Sequence, residues 1–284
     1  MALLRLATRG SAQATAQSTA VADALRAAHP GLEVELVFVE TLGDQRADVP
    51  LHQMGGQGVF VKEVQRAVLD GAADIAVHSA KDLPSTTAEG LQLAAFCARR
   101  DARDALVGRS LVDLPEGATV ATGSVRRRAL LSSVRPDLEF VELRGNIATR
   151  LSKLPDGGAL VMAVAALEIL GLTDRIAELL PTDTFVPAPG QGCVAVECRA
   201  DDRSTAALLT AIDDAATRTV VSAERAFLAE LGSGCSLPVG AHAVGSTITG
   251  FLADPATGLH LVRSAPLDAA AALARTMRQD LQGG

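Results

Sequence analysis

The chain has 284 residues, of which 48% are hydrophobic and 2% aromatic, and a formal net charge of −7. This length provides for two or three domains with buried cores, and no run of about 18 apolar residues that would span a membrane occurs. The negative charge and the lack of Trp and Tyr argue against nucleic acid as a partner.

The first third of the chain alternates short apolar runs with helical patterns. "LLRLA" predicts a strand before a helix over 11–28 with Ser11 as its N-cap, and "LEVELVFV" predicts a second strand by its period of two. A helix over 60–70 and the strand "DIAVHS" follow. The order is therefore βαβαβ.

A similar order restarts near residue 118. "ATVA" precedes a helix from Ser124, "LEFVEL" precedes a helix over 146–154, and "ALVMAV" precedes a helix that ends near Gly171. The joins after the first strands are alike, "ATRGS" at 7–11 and "VATGS" at 120–124. The sequence thus predicts two similar α/β domains that face a cleft.

A smaller third α/β domain is predicted at the C-terminal end. After the strand "VAVEC" come helices over 203–215 and 218–231, a cysteine-containing loop, short strands and a last helix from about 268. We predict domain 1 from residues 1–97 and 193–210, domain 2 from 98–192, and the third domain from 211–284.

Polar and basic side chains follow the predicted strands, where helix N-termini gather in an open parallel sheet. These residues are Arg9, Ser11, His78, Ser79, Lys81, Asp82, Ser124, Arg126, Arg127, Arg144, Asn146 and Arg150. Any one of the arginines, taken alone, is an ordinary solvated surface residue. Together they would repel one another without an anion, and guanidinium groups bind carboxylates in a bidentate way. The set predicts a ligand with several carboxylates.

Common nucleotide and hydrolase motifs are absent from the sequence. "GGQGVFVKE" lacks the pattern GxxxxGK[ST], and no predicted strand is followed by GxGxxG, which argues against ATP and NAD. No GxSxG elbow occurs, and the adjacent His78 and Ser79 lie on opposite sides of a strand, which argues against a Ser-His-Asp hydrolase.

Cys235 lies in "LGSGCSLPVG", an irregular glycine-rich loop that Pro238 ends. A lone loop cysteine is more often inert than functional. The other cysteines, Cys97, Cys193 and Cys198, form no CxxC pair with it or with one another, which argues against a zinc site and a disulfide framework. With no signal-peptide pattern at the N-terminus, we expect reduced thiols in a cytoplasmic protein.

Several long segments resemble the hydroxymethylbilane synthase (porphobilinogen deaminase) family, in that family's order over about residues 4 to 242. They are "GGQGVFVKEVQRAVLDGAADIAVHSAKDLPS", "RRDARDALV", "GSVRRRALL", "RPDLEFVELRGNIATRLSKL", "PAPGQGCVAVECR" and "SAERAFLAELGSGCSLPVGAHA". The resemblance implies two domains like those of periplasmic binding proteins and a smaller third domain. It also implies an enzyme that joins four porphobilinogen molecules into hydroxymethylbilane and releases ammonia in porphyrin and heme biosynthesis.

The resemblance also assigns roles to residues. It implies a dipyrromethane cofactor attached to Cys235 through a thioether, and Asp82 as the catalytic carboxylate. The positions that match the family's binding residues for cofactor and substrate carboxylates are Arg9, Ser11, Lys81, Ser124, Arg126, Arg127, Arg144 and Arg150. Phe60 matches an aromatic residue near the reacting ring, but it is equally a core residue of the helix over 60–70. The expected partner is porphobilinogen, bound by a monomer without metal.

Some positions depart from the family pattern, and two other functions remain open. Ile169 stands where the family commonly has a carboxylate-binding arginine, and Ala166 stands where it has a glycine. A binding protein that captures a small anion would explain the arginines but neither Asp82 nor the loop thiol. A cysteine-nucleophile hydrolase or acyltransferase would need a nearby histidine, and His242 is the close one in sequence.

Overall fold

A computed structural model of the chain describes residues 2–41, 58, 60–232 and 238–283. Its strands, in chain order, are β1 (Ala2–Arg9), β2 (Leu32–Val39), β3 (Ile75–Ser79), β4 (Leu91–Phe96), β5 (Asp104–Gly108), β6 (Thr119–Ala121), β7 (Glu139–Val141), β8 (Ala159–Ala163), β9 (Ile176–Leu180), β10 (Val194–Arg199), β11 (Val239–Val244), β12 (Thr247–Ala253) and β13 (His260–Pro266). Its helices are α1 (Ala12–Ala28), α2 (Lys62–Leu69), α3 (Val125–Val134), α4 (Ile147–Leu151), α5 (Val164–Glu168), α6 (Arg203–Leu209), α7 (Ala215–Leu231) and α8 (Ala270–Gly283).

Two five-stranded sheets share one topology. The first has the order β2-β1-β3-β10-β4 and the second the order β7-β6-β8-β5-β9. In each sheet three strands pair in parallel, and a strand antiparallel to both neighbours, β10 or β5, lies before the edge strand. The predicted pair of similar α/β domains is confirmed by this shared order.

A third sheet, β11-β12-β13, is antiparallel and packs against α7 and α8. Its core is built from apolar residues of both helices and of the strands, with Phe227, Leu252 and Met277 fully buried. In β13, Leu261 and Ala265 are partly buried and the other residues are exposed. The three sheets fall within the three predicted residue ranges, and the domain limits themselves stay a prediction.

Local sequence signals set most helix starts. Ser11 begins α1 by accepting a hydrogen bond from the amide of Ala14 (3.3 Å), and Ser124 begins α3 by accepting one from the amide of Arg127 (3.4 Å). Each helix then covers one face of its sheet, with Leu25 of α1 and Leu131 of α3 fully buried. Because these helices start just past β1 and β6, their N-termini lie at the ends of neighbouring strands.

The predicted helix over 203–215 is wrong in its second half. Helix α6 ends at Leu209, a single 3-10 turn covers Thr210–Ile212, and α7 begins at Ala215 rather than at 218. Two aspartates cause the break. Asp213 accepts a hydrogen bond from the amide of Phe96 (2.8 Å), and Asp214 caps α7 by accepting one from the amide of Thr217 (2.7 Å).

Two chain segments connect the first sheet with the second, the outward segment 97–103 and the return segment 181–193. They lie side by side. The amide of Arg100 donates to the carbonyl of Gly192 (2.9 Å), and Arg99 Nε donates to the carbonyl of Gln191 (2.9 Å). The part of the chain that the structure describes contains no helix long and apolar enough to cross a membrane.

Candidate active site

A small cavity lies at the ends of β1 and β3 in the first sheet. Its volume is about 60 Å³, and its lining is Arg9, Ser11, Gln13, Ala14, Gln17, Phe60, Val61, Val64, Val77, His78, Ser79 and Asp82. The guanidinium carbon of Arg9 lies 4.1 Å from the centre of the Phe60 ring, which is a cation–π contact. Phe60 is half-buried in the turn before α2, so it lines the cavity instead of filling the core of that helix.

Asp82 and Lys81 belong to a 3-10 turn, Ala80–Asp82, that follows β3 directly. Leu83 is extended, as expected for a residue before Pro84, and both side chains of the turn stay at the strand end. Lys81 Nζ donates to Gln191 Oε1 at 3.3 Å. The pKa of Lys81 is lowered to about 8, mainly by burial and also by the charges of Arg127 and Arg126, whereas Asp82 and Asp104 oppose the shift.

His78 and Ser79 do not form a nucleophile–base pair. His78 Nε2 lies 3.0 Å from Glu197 Oε2, and both side chains are buried. The Ser79 hydroxyl instead donates to Gln17 Oε1 at 3.1 Å. The two side chains therefore lie on opposite sides of β3, as the sequence predicts, and this arrangement is not that of a serine hydrolase.

The second sheet contributes Arg126 and Arg127 from the first turn of α3. Both side chains are buried and contact Asp104 at the start of β5, through Arg126 Nη2 (2.8 Å) and Arg127 Nη2 (2.6 Å). Arg126 also donates to the carbonyl of Val186, and Arg127 to that of Val161. The sequence analysis does not single out Asp104, because it begins a strand whose apolar run is too short to be recognised.

Arg150 shows that the two sides of the site lie close together. It sits in α4, and its Nε donates to the carbonyl of Gly145 at 2.8 Å. Burial lowers the pKa of Arg150, as do the nearby charges of Arg127, Arg144 and Arg9, whereas Asp82 opposes the shift. Charged groups of the first and second sheets therefore share one region of space.

The structure thus brings together most of the residues that the sequence predicts. The residues that lie in one region are Arg9, Ser11, Phe60, Lys81, Asp82, Arg126, Arg127 and Arg150, and Arg144 lies within electrostatic reach of Arg150. Ser124 caps α3 beside them. Cys235 lies outside the described residues, which resume at Pro238. Ile169 ends α5 and is half-buried.

Among the described residues that line the cavity or act on Lys81 and Arg150, cations outnumber carboxylates. The carboxylates are Asp82 and Asp104, and the cations are Arg9, Lys81, Arg126, Arg127, Arg144 and Arg150. Such an excess of positive charge favours a polyanionic ligand. Asp82, which lines the cavity beside Arg9 and Phe60, can stabilise positive charge that develops on such a ligand.

Two family sequence models match the chain. Residues 4–207 match the family described as "Porphobilinogen deaminase, dipyromethane cofactor binding domain", and residues 218–259 match "Porphobilinogen deaminase, C-terminal domain". The chain is 49% identical over 243 residues to the porphobilinogen deaminase of Roseiflexus sp. (strain RS-1), covering 84% of this chain and 80% of that protein. It is 50% identical over 250 residues to that of Acidothermus cellulolyticus, covering 85% of this chain and 75% of the relative.

Among solved structures, the chain is similar to a nutrient binding protein from Burkholderia cenocepacia bound to methionine. The TM-score is 0.46 and the identity 16%, over 76% of this chain and 93% of that one. The methionine binding protein MetQ gives a TM-score of 0.44 and 12% identity, over 79% and 90% of the two chains. From the two family models and the relatives near 50% identity, the chain belongs to the porphobilinogen deaminase family, whose enzymes polymerise porphobilinogen into hydroxymethylbilane in tetrapyrrole biosynthesis.

Proposed function

We propose that this chain polymerises porphobilinogen with Asp82 as its catalytic carboxylate and with a dipyrromethane cofactor bound covalently to Cys235. The observation that carries the proposal is the position of Asp82. It lies in the turn that follows a buried strand, lines a cavity with Arg9 and Phe60, and lies within electrostatic reach of Lys81 and Arg150. A carboxylate that lies among cationic side chains is placed to act on a ligand that is itself anionic but becomes cationic at one pyrrole ring.

The reaction calls for such a group. The aminomethyl carbon–nitrogen bond of porphobilinogen breaks, ammonia leaves, and positive charge spreads onto the pyrrole nitrogen. A new carbon–carbon bond then forms, and a proton leaves the attacked ring carbon. Asp82 stabilises the cationic pyrrole through the charge of its carboxylate and accepts or donates protons at its Oδ atoms.

The cations around Asp82 bind the carboxylates of the pyrroles. Arg9, Arg144, Arg150 and Lys81 supply charge, and the hydroxyl groups of Ser11 and Ser124 add hydrogen bonds at helix N-termini. Arg126 and Arg127 keep guanidinium protons that Asp104 and the backbone carbonyls do not use. Phe60 offers its ring as a surface beside the reacting pyrrole.

Dipyrromethane fits this donor set, because its acetate and propionate groups match an excess of guanidinium groups. When bound, it supplies the terminal pyrrole to which porphobilinogen is added. The proposed anchor, Cys235, follows α7 after Gly232, whose φ of 87° belongs to a conformation that glycine adopts readily. Both sides of the site come from one chain, so the proposal needs no second subunit.

The substitution Asp82→Asn tests the proposal. It removes the charge but keeps the shape and the ability to cap a turn, so we expect turnover of porphobilinogen to fall by roughly 10² to 10⁴ with a much smaller loss of binding. The measurement is porphobilinogen consumption by protein whose melting temperature and cofactor mass match those of wild type. Turnover within a few-fold of wild type would show that Asp82 only caps its turn and that the chain does not work as proposed.

Cys235→Ser is the control for the cofactor. Wild-type protein from cells that make porphobilinogen should carry the extra mass of two linked pyrroles, and the serine variant should fold without it. An unmodified wild-type mass would contradict the attachment.

A further inference from the structure

Asp104 is a buried carboxylate of the site that accepts four hydrogen bonds. Its side chain is 1% exposed. It accepts hydrogen bonds from Arg126 Nη2 (2.8 Å), Arg127 Nε (3.0 Å), Arg127 Nη2 (2.6 Å) and Gln191 Nε2 (2.9 Å). Burial alone would raise the pKa of Asp104, but the guanidinium groups of Arg126 and Arg127 hold it well below its usual range. Asp104 is therefore charged throughout the working pH range of the protein.

The side-chain amide of Gln191 connects this carboxylate with the first sheet. Gln191 Nε2 donates to Asp104 Oδ1 and to the carbonyl of Ala102 (2.8 Å), while Gln191 Oε1 accepts from Lys81 Nζ (3.3 Å). Gln191 is buried. Since the amide nitrogen donates to two acceptors and the amide oxygen accepts from a donor, the amide is held in one orientation.

The arrangement spans the two sheets. Asp104 begins the strand reached by the outward segment, Gln191 lies on the return segment, and Lys81 follows β3 of the first sheet. Two guanidinium groups and one ammonium group are thus arranged about one carboxylate and one amide, directly beside Asp82. Asp104 is hydrogen-bonded to Arg126 and Arg127 directly and is connected to Lys81 through Gln191.

We propose that the buried carboxylate of Asp104 positions the cations of the site on both sides of the cleft. It holds Arg126 and Arg127 directly, and it holds Lys81 through the amide of Gln191. Asp104 is a positioning residue, because the groups that would touch the pyrrole carboxylates are those it holds. The inference rests on the proposed function for the identity of the ligand, but the geometry of the network does not depend on it.

The chain offers a direct readout of this network. It contains three lysines, Lys62, Lys81 and Lys153, so protein labelled with ¹³C-lysine gives three side-chain Cε signals in solution. The charged groups that act on Lys81 are Arg126, Arg127, Asp82 and Asp104. The titration midpoint of the Lys81 signal therefore reports whether the Asp104 charge reaches it.

Asp104→Asn should lower the titration midpoint of Lys81 by roughly one pH unit or more, because a charge that favours the ammonium form is removed while two guanidinium groups remain. Porphobilinogen turnover should fall about 10- to 100-fold from misplaced cations. The matched control is Asp101→Asn, which removes a carboxylate on the outward segment, three residues before Asp104, that pairs with Arg103 nearer the surface. Asp101→Asn should leave the Lys81 titration midpoint and porphobilinogen turnover unchanged.

Gln191→Leu provides a second test in case Asp104→Asn does not fold. It keeps the pairs of Asp104 with Arg126 and Arg127 but removes the acceptor for Lys81, so the Lys81 midpoint should again fall. An unchanged Lys81 midpoint in either folded variant would overturn the proposal, and so would a turnover loss that merely follows a lowered melting temperature. Wild-type protein inactive on porphobilinogen would refute the proposed function and leave the titration result standing.

Discussion

At the scale of single residues, the burial of an arginine and its partner determines how much their ion pair affects the stability of the fold. Arg66 pairs with Asp70 on an exposed helix surface, where an ion pair stabilises the fold by at most about 1 kcal/mol. Arg126 and Arg127 pair with Asp104 in the interior, where loss of the carboxylate would leave two buried cations. The sequence predicts which elements carry the arginines, but it does not predict their partners. Those partners lie on strands and connecting segments that are distant along the chain.

The half-buried side chain of His242 lets us predict how stability depends on pH. The pKa of His242 is lowered from 6.5 to about 4, mainly by burial and also by the charge of Arg99, while Asp101 opposes the shift. The unfolded chain therefore binds a proton between pH 6.5 and 4 that the folded chain does not, so the free energy of unfolding falls as the pH falls through this window.

His242→Gln removes this dependence. Between pH 7 and pH 4.5, wild type should lose about 2 kcal/mol more of its free energy of unfolding than the variant does. Urea unfolding at the two pH values measures the difference, and carboxylates common to both proteins cancel. Equal losses in the two proteins would mean that His242 titrates in the folded protein as it does in the unfolded chain.

At the scale of elements, the sequence predicts helices and strands that carry a local signal. The helix starts at Ser11 and Ser124 follow from their capping hydroxyl groups, and β2 follows from its alternation. Strands β4, β5 and β9 were missed, because their apolar runs are short and they join sheets through partners far away in sequence. The sequence predicts the start of α7 three residues too late, because Asp214 caps the helix and lets it begin at Ala215.

The return segment supplies a prediction at this scale. Gly192 has a φ of 85°, and a Cβ there would lie 2.7 Å from the carbonyl oxygen of Arg100 on the outward segment. Gly192→Ala should therefore lower the free energy of unfolding by about 3 kcal/mol or more. Gly171→Ala is the matched control, because Gly171 also has a positive φ, 65°, but nothing lies within 4 Å of the added atom; its cost should stay near 1 kcal/mol.

Chemical denaturation measures both variants. Both variants place alanine at a positive φ, so the backbone strain is common to them. The difference between their free energies of unfolding therefore reports the contact between the outward and return segments. If the two substitutions cost the same, the segments separate readily and do not hold the two sheets in a fixed relation.

At the scale of the whole molecule, α7 joins the third sheet to the rest of the protein. Arg225 Nη2 donates to the carbonyls of Pro84 (2.9 Å) and Ser85 (3.2 Å), just after the turn that holds Asp82. The same helix ends at Leu231, four residues before Cys235. The sequence predicts the helix and the loop but not these ties, which appear only when three separate parts of the chain are packed together.

Glu224, also on α7, accepts hydrogen bonds from three separate parts of the chain. Its side chain is fully buried, and it accepts hydrogen bonds from Arg99 Nη1 (2.6 Å), from the amide of Gly190 (2.7 Å) and from the amide of Ala243 (2.8 Å). These donors belong to the outward segment, the return segment and the third sheet. One carboxylate thus fixes the place where all three parts of the molecule meet.

Glu224→Ala should lower the free energy of unfolding by about 3 to 5 kcal/mol, because it leaves the largely buried guanidinium of Arg99 and two buried amides unpaired. Glu230→Ala, on the same helix, removes a more exposed pair with Arg275 and should cost at most about 1 kcal/mol. Hydrogen exchange adds a local measurement: the amides of Gly190 and Ala243 should lose protection in the first variant and keep it in the second. Equal costs, with both amides still protected after Glu224→Ala, would show that the third sheet is held by apolar packing alone.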